Sequence, residues 1–278
     1  MFTAITELKD IKMILKMSKG NMKLPKTTLI YSHSAGLTCP GANSCKAFVT
    51  IKGDKRVLNR GNESLFTCFA ASEELRYPNV YKARKYNFDL INNYVLKNDL
   101  KGLTELINRS IQNNRKNVTK VRIHESGDFF NILYLEAWKN VAKLNKDLIF
   151  YCYTKSLLFF PSNRSIPKNL YVTASYGGKY DFLIDRGYFK RFSKVVFSED
   201  EATKLGLSID KDDSHCYEDK GKNGFGLLLH GLQEKGSASA EALKLINKNK
   251  KTKVKTNKKS SWIDKLNKYY ELPYIIKK

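Results

Sequence analysis

Short stretches rich in β-branched and aromatic residues alternate with amphipathic, helix-spaced segments over most of this chain. TTLIYSH (27–33) reads as a first strand, preceded by a charged lead-in, residues 1–26, with some helical periodicity. FVTIKG and KRVLNRG alternate around Gly53 and Asp54 as a hairpin does. VYKARKYNFDLINNYVL brings Val80, Ala83, Phe88, Ile91 and Val95 near helical spacing and LTELINRSIQNN repeats the pattern, so two helices are expected. KVRIHESGD (120–128) is a strand ending in polar residues, and ILYLEAWKNVAKL is its helix. LIFYCYTKS (148–156) and NLYVTASYGG (169–178) are further strands, the latter followed by a helix through DFLIDRGYFKRF. KVVFSEDEATKLG and FGLLLHGLQEKGSASAEALKLI complete the series. This rhythm predicts βαβ units, a parallel sheet and an α/β fold whose function gathers at the strand C-termini.

Residues 1–246 are therefore expected to form a single α/β domain. NKNKKTKVKTNKKS (247–260) has no core residues and reads as a basic linker. Residues 261–278 regain Trp262, Leu266, Tyr269 and Tyr270, which predicts a docked helical segment. There is no apolar run of about 18 residues, so no membrane span is expected. MFTAITELKDIKMILKMSKG lacks an apolar secretory core, which points to a cytosol and reduced thiols. The net charge of +23 invites nucleic acid as a partner through the basic surface and tail. Much of that excess is Lys accompanied by Asn and Ile, which an AT-rich genome also produces.

The cysteines narrow the chemistry. Cys39 and Cys45 lie in LTCPGANSCK and Cys68 in LFTCFAAS, a C-x5-C-x22-C series in turn-forming sequence, and Cys216 sits in polar DDSHCYEDKG. Thiolate sulfur suits zinc or an iron–sulfur cluster. No C-x2–4-C knuckle occurs, and wide spacing favours a [4Fe–4S] cluster held by Cys39, Cys45, Cys68 and Cys216, with zinc as the alternative. Cys152, flanked by aromatics in a predicted strand, reads as a core thiol. The predicted strand ends offer a candidate pocket: His124, Glu125 and Asp128; Thr154 and Lys155; Ser175 and Tyr176; and His230. Taken singly, each is a common turn or capping residue, and His230 after three leucines is equally a core histidine. In a partial barrel they would share one mouth.

SHSAGLTCPGANSCK, TCFAASEELRYPNVYKAR, VRIHESGDFF, YCYTKS, TASYGG and the closing HG-x-Q-x-KGS resemble the phage gene product 88-like family, from about residue 30 to residue 245. That resemblance implies a viral protein made in a bacterial cytoplasm and no defined activity. A second resemblance is to radical SAM enzymes, whose barrels carry a cysteine loop after the first strand and a GGE-like motif after the second, where HESGD (124–128) stands here. It implies a radical-SAM-like partial (β/α) barrel. The chain departs from that pattern, because radical SAM proteins typically use C-x3-C-x2-C and keep one iron free for SAM. The expected function is thus an iron–sulfur protein in electron transfer, sensing or an unassigned reaction, its redox partner unknown. The alternatives are a radical SAM-type enzyme with three cysteine ligands and a basic nucleic-acid-binding protein with structural metal.

Overall fold

The computed structural model describes residues 13–160 and 166–251. Strand β1 (Met17–Lys19) pairs antiparallel with β2 (Thr28–Tyr31), and a separate hairpin, β3 (Ala47–Lys52) and β4 (Lys55–Arg60), turns at Gly53. Three helices follow: α1 (Phe69–Arg76), α2 (Pro78–Leu96) and α3 (Leu100–Asn113). Then come β5 (Lys120–Ile123), α4 (Ile132–Leu144), β6 (Ile149–Thr154), β7 (Leu170–Ser175) and α5 (Phe182–Asp185). The described chain ends with β8 (Phe192–Val196), α6 (Glu199–Lys204), β9 (Ser208–Ile209), β10 (Phe225–Leu228) and α7 (Ala238–Lys251).

The main sheet runs β1-β2-β5-β6-β7-β8-β10-β9, parallel throughout except at β1. From β2 to β10 the parallel neighbours follow chain order apart from the short edge strand β9, so the winding keeps one direction. Right-handed crossovers then put the connecting helices on one face. Alternation along β6 shows the result. Phe150 and Cys152 face the main core with Leu106, Trp138 and Val141 of α3 and α4, while Tyr151 and Tyr153 face the opposite side with Cys216 and Phe225. Helix entries are set by side chains: Asp99 caps α3 through Gly102 N at 2.8 Å, and Asn131 caps α4 through Leu133 N at 2.8 Å.

The α/β class and mostly parallel sheet stand as expected, but the sheet does not close into a barrel. Its edges are β1, of three residues, and β9, of two, too short to pair onward. Other differences are local. The lead-in carries strand β1 rather than a helix within residues 13–26, and residues 1–12 lie outside the described ones. The helix expected through DFLIDRGYFKRF is only Phe182–Asp185, because Gly187 turns the chain at φ 77°. Helix α1 begins directly after Cys68, and α7 runs on to Lys251, inside the expected linker. The remaining linker residues, 252–260, and the expected segment 261–278 lie outside the described residues. No helix among the described residues is long and apolar enough to cross a membrane.

Candidate metal centre

The loop after β2 is fastened to the ends of β6 and β7. Gly36, at φ 69°, packs where a Cβ would come 2.0 Å from Ala47 O. Lys46 Nζ then donates to Gly36 O at 2.6 Å and to Cys39 O at 2.9 Å. Gly41 lies against β6's continuation, since a Cβ there would sit 2.0 Å from Lys155 O. Ala42 bridges Gly178, and Asn43 N and Ser44 N both donate to Gly177 O. Cys39 and Cys45 are thereby held at the C-terminal edge of the sheet.

Cys68 reaches the same place from the N-terminus of α1, where the N–H groups of Ala70 and Ala71 favour its thiolate. The HG-x-Q motif holds this turn. Gln233 accepts from Thr67 N at 2.9 Å and returns a bond to Thr67 O at 3.2 Å, and Ser72 Oγ donates to Leu232 O at 3.1 Å. His230 lies against Phe69 with centroids 4.6 Å apart and planes tilted by 35°, and its pKa is lowered by burial.

The three thiols act on one another. Burial pushes Cys39 well above the usual thiol range, and Asp128, Cys68 and Cys45 add to it. Burial pushes Cys68 up to about 11, with the charge of Cys45 the next contributor and the helix N–H groups opposing. With pKa values raised in this way, Cys39 and Cys68 are neutral thiols near pH 7. Among the described residues, no three His, Cys, Asp or Glu side chains form a group that could hold a metal ion.

Beside the thiols, Asp128 is fully engaged. Its Oδ1 accepts from Thr154 Oγ1 at 2.6 Å and Phe129 N at 2.7 Å, its Oδ2 from Lys155 N at 2.8 Å, and burial raises its pKa. Lys155 Nζ donates to Ser175 Oγ at 2.5 Å. Asp128, Thr154, Lys155 and Ser175 therefore form one network. His124 stands apart in character: it is a non-glycine residue at φ 66°, buried, with Nε2 2.7 Å from Tyr134 OH. Such a conformation costs of order 1 kcal/mol. The other two candidates turn elsewhere. Glu125 accepts from Asn21 Nδ2 at 2.8 Å, and Tyr176 OH donates to Asp185 at 2.7 Å.

Cys216 is not with the other three cysteines. It sits in a short 3₁₀ turn on the opposite face of the sheet, packed with Tyr151 and Phe225. Burial pushes it up to about 12, the Asp213 charge adding to that, while hydrogen bonds with Tyr153 and Thr173 oppose. Of the four expected ligands, Cys216 therefore packs apart from Cys39, Cys45 and Cys68. Cys152 is buried in the main core, as the sequence implies.

A family profile described as Gene product 88 matches residues 7–257, nearly the whole chain. This protein belongs to the gene product 88 family. It is 27% identical over 143 residues to the "Gene 88 protein" of Mycobacterium phage L5, a match covering 49% of this chain and 59% of that protein. The chain thus spans less than two thirds of that relative's length. No solved structure matches it. The resemblance read from the cysteine, HESGD and HG-x-Q blocks is borne out, and with it the expectation of a bacteriophage protein.

In this gene product 88 protein the sequence reading missed several residues that build the centre. His33 stacks on His124 with centroids 4.9 Å apart and planes 19° from parallel, and its Nε2 lies 3.1 Å from Asp128 O. Gly127, at φ 85°, makes room for it, since a Cβ there would meet His33 Cδ2 at 1.8 Å. Glu74 accepts from Ala35 N at 2.8 Å, and Arg84 joins Glu73 at 2.7 Å to Ala70 O at 2.9 Å. The signal for His33 was present: it closes the first strand, as His124 follows the second. Glu74 and Arg84 lie in helices α1 and α2, where a charged residue carries no signal of its own in the sequence.

Proposed function

We propose that this protein carries a [4Fe–4S] cluster on Cys39, Cys45 and Cys68, within a radical-SAM-like partial barrel, and acts in the host bacterial cytoplasm. The observation that supports the reading is that Cys39, Cys45 and Cys68, from two separate loops, lie near enough for the charges of Cys45 and Cys68 to raise Cys39 and that of Cys45 to raise Cys68. Soft thiolate donors suit iron–sulfur clusters, and the wide C-x5-C-x22-C spacing without a C-x2–4-C knuckle supports a cluster over zinc. Bound there, the cluster would supply one-electron chemistry and one iron without a cysteine. The chain's own groups have defined parts. The helix N-terminus at Cys68 and the lysine-clamped Cys39 loop pre-position thiolates, and Asp128 fixes the neighbouring β6 end through Thr154 and Lys155 N.

The protein purified anaerobically should contain about four iron and four sulfide per chain, the content of one cubane. Cys39→Ser, Cys45→Ser or Cys68→Ser should lose it, whereas Cys216→Ser and Cys152→Ser should keep it. An EPR change of the reduced cluster on adding SAM would mark the open iron. Colourless protein with stoichiometric zinc, or equal iron loss in the Cys216 variant, would overturn the reading.

A further inference from the structure

Away from the cysteines, the segment between α6 and β10 builds a second constellation. Ser208 and Asp210 are two residues apart along extended chain, so both side chains point to the same face. The 3₁₀ turn Ser214–Cys216 brings His215 back over that face. His215 Nδ1 lies 2.8 Å from Asp210 Oδ1, and its Nε2 lies 3.0 Å from Ser208 Oγ. Asp210 is itself pinned, its Oδ2 accepting from Asp213 N at 2.9 Å and from Lys23 Nζ at 3.1 Å.

These contacts fix the tautomer. An ionised carboxylate only accepts, so Nδ1 carries the proton and Nε2 is left to accept from the Ser208 hydroxyl. The serine is exposed, while His215 and Asp210 are buried behind it. β9 is the terminal strand of the sheet. Because Asp210 N donates inward to Gly226 O at 2.9 Å, the alternation turns Ile209 N–H to the open edge beside the serine. A backbone N–H directly after a nucleophile is well sited to meet a developing oxyanion.

We propose that Ser208, His215 and Asp210 form a serine-nucleophile site, separate from the cysteine centre, that acts on small activated carboxylic esters. Ser208 Oγ attacks the carbonyl carbon as its proton passes to His215 Nε2. The C–O bond then breaks, and the leaving alcohol takes that proton, which leaves an acyl-serine. Water, deprotonated by His215, releases the acid and restores the serine. Asp210 is a positioning residue, holding the imidazole in the accepting tautomer.

The test uses the full chain with a fluorophosphonate probe, the modified peptide being located by mass spectrometry. Labelling should concentrate on Ser208, at least tenfold above Ser18, a similarly exposed strand serine with no histidine partner. His215→Gln should lower Ser208 labelling at least tenfold with the serine still present, and p-nitrophenyl acetate turnover should fall with it. Ser208→Ala, at an exposed edge, leaves the fold in place and should abolish both. Labelling of Ser208 no greater than that of Ser18, or unchanged in His215→Gln, would show the three residues to be structural only and overturn the proposal. Iron content does not enter these readouts, so the result stands apart from the cluster reading.

Discussion

Lowering the pH from 7 towards 5 should weaken this fold through two histidines. His33 and His124 are buried and stacked, and burial holds His33 down to about 3 and His124 well below the usual imidazole range, with the His33 charge adding to the latter. In the unfolded chain each protonates near about 6.5. A group whose folded pKa is depressed contributes stability that is complete above the unfolded value and is lost as pH falls below it. For His33 that window runs from about 6.5 down to about 3. Each pH unit below the unfolded value carries about 1.4 kcal/mol, so at pH 5 the His33 ring alone costs about 2 kcal/mol, and His124 works in the same direction. That is a large share of a typical domain's stability. The buried carboxyls of Asp128, Glu74 and Asp181 work in the opposite direction, because burial raises them and the folded state takes up their protons first.

The diagnostic is therefore a slope and not a total. Urea unfolding at steps between pH 5 and 6.5 should be compared for the wild type and His33→Gln. Gln keeps a donor for Asp128 O, which His33 Nε2 meets at 3.1 Å. The variant's stability should fall less steeply at the acid end, by about 1.3 kcal/mol per pH unit, the share of one proton. Equal slopes would refute the reasoning, since they would mean that His33 titrates alike in both states.

Gln233→Ala removes both bonds to the Thr67 backbone and should destabilise the Cys68 turn by about 1–3 kcal/mol, with faster cluster loss in anaerobic absorbance decay. Decay unchanged from wild type would mean that the cysteine turn holds itself. Removing residues 252–278 should weaken nucleic-acid binding and flatten its salt dependence while leaving iron content unchanged. The cut must fall after α7, because Ile246 packs against Leu229 and Ala242.

Long periodic elements were legible in the sequence, and short ones were not. ILYLEAWKNVAKL coincides with Ile132–Leu144, and each predicted parallel strand is found, because period-two and helical spacing need only a few turns of chain to declare themselves. β1 and β9, of three and two residues, offer no periodicity and owe their existence to neighbours already in place. Helix α1 escaped notice for a different reason. FAASEELR buries small and charged residues, Ala70, Ala71, Ser72 and Glu74, so it shows little apolar stripe. The loop carrying Cys39 and Cys45 was legible because Pro40 and Gly41 mark a tight turn in it, and Cys68 because it stands in the small-residue segment LFTCFAAS. The interlocking of those turns with Gly177, Gly178 and Gln233 depends on contacts distant in sequence.

Cys216 shows where the reading of a polar loop as a ligand loop breaks down. DDSHCYEDKG looks solvated, yet Asp213 and His215 are buried. Its charges are there to satisfy one another. Burial alone would raise Asp213, but Arg122 at 2.8 Å and Lys23 at 2.6 Å hold it below the usual carboxylate range, with Tyr153 OH donating at 3.2 Å. A buried charge survives only when paired in this way. The segment therefore lies on the sheet face away from α3 and α4 as an ion-paired plug, carrying Cys216 among tyrosines. A thiol so enclosed packs on the other face of the sheet from Cys152 and does not act on the charge of Cys39 or Cys68. Were the proposed cluster to form on Cys39, Cys45 and Cys68 alone, one of its irons would lack a cysteine ligand. Under that proposal the plug would favour ligand binding at the open iron over electron storage, because it keeps the fourth sulfur away.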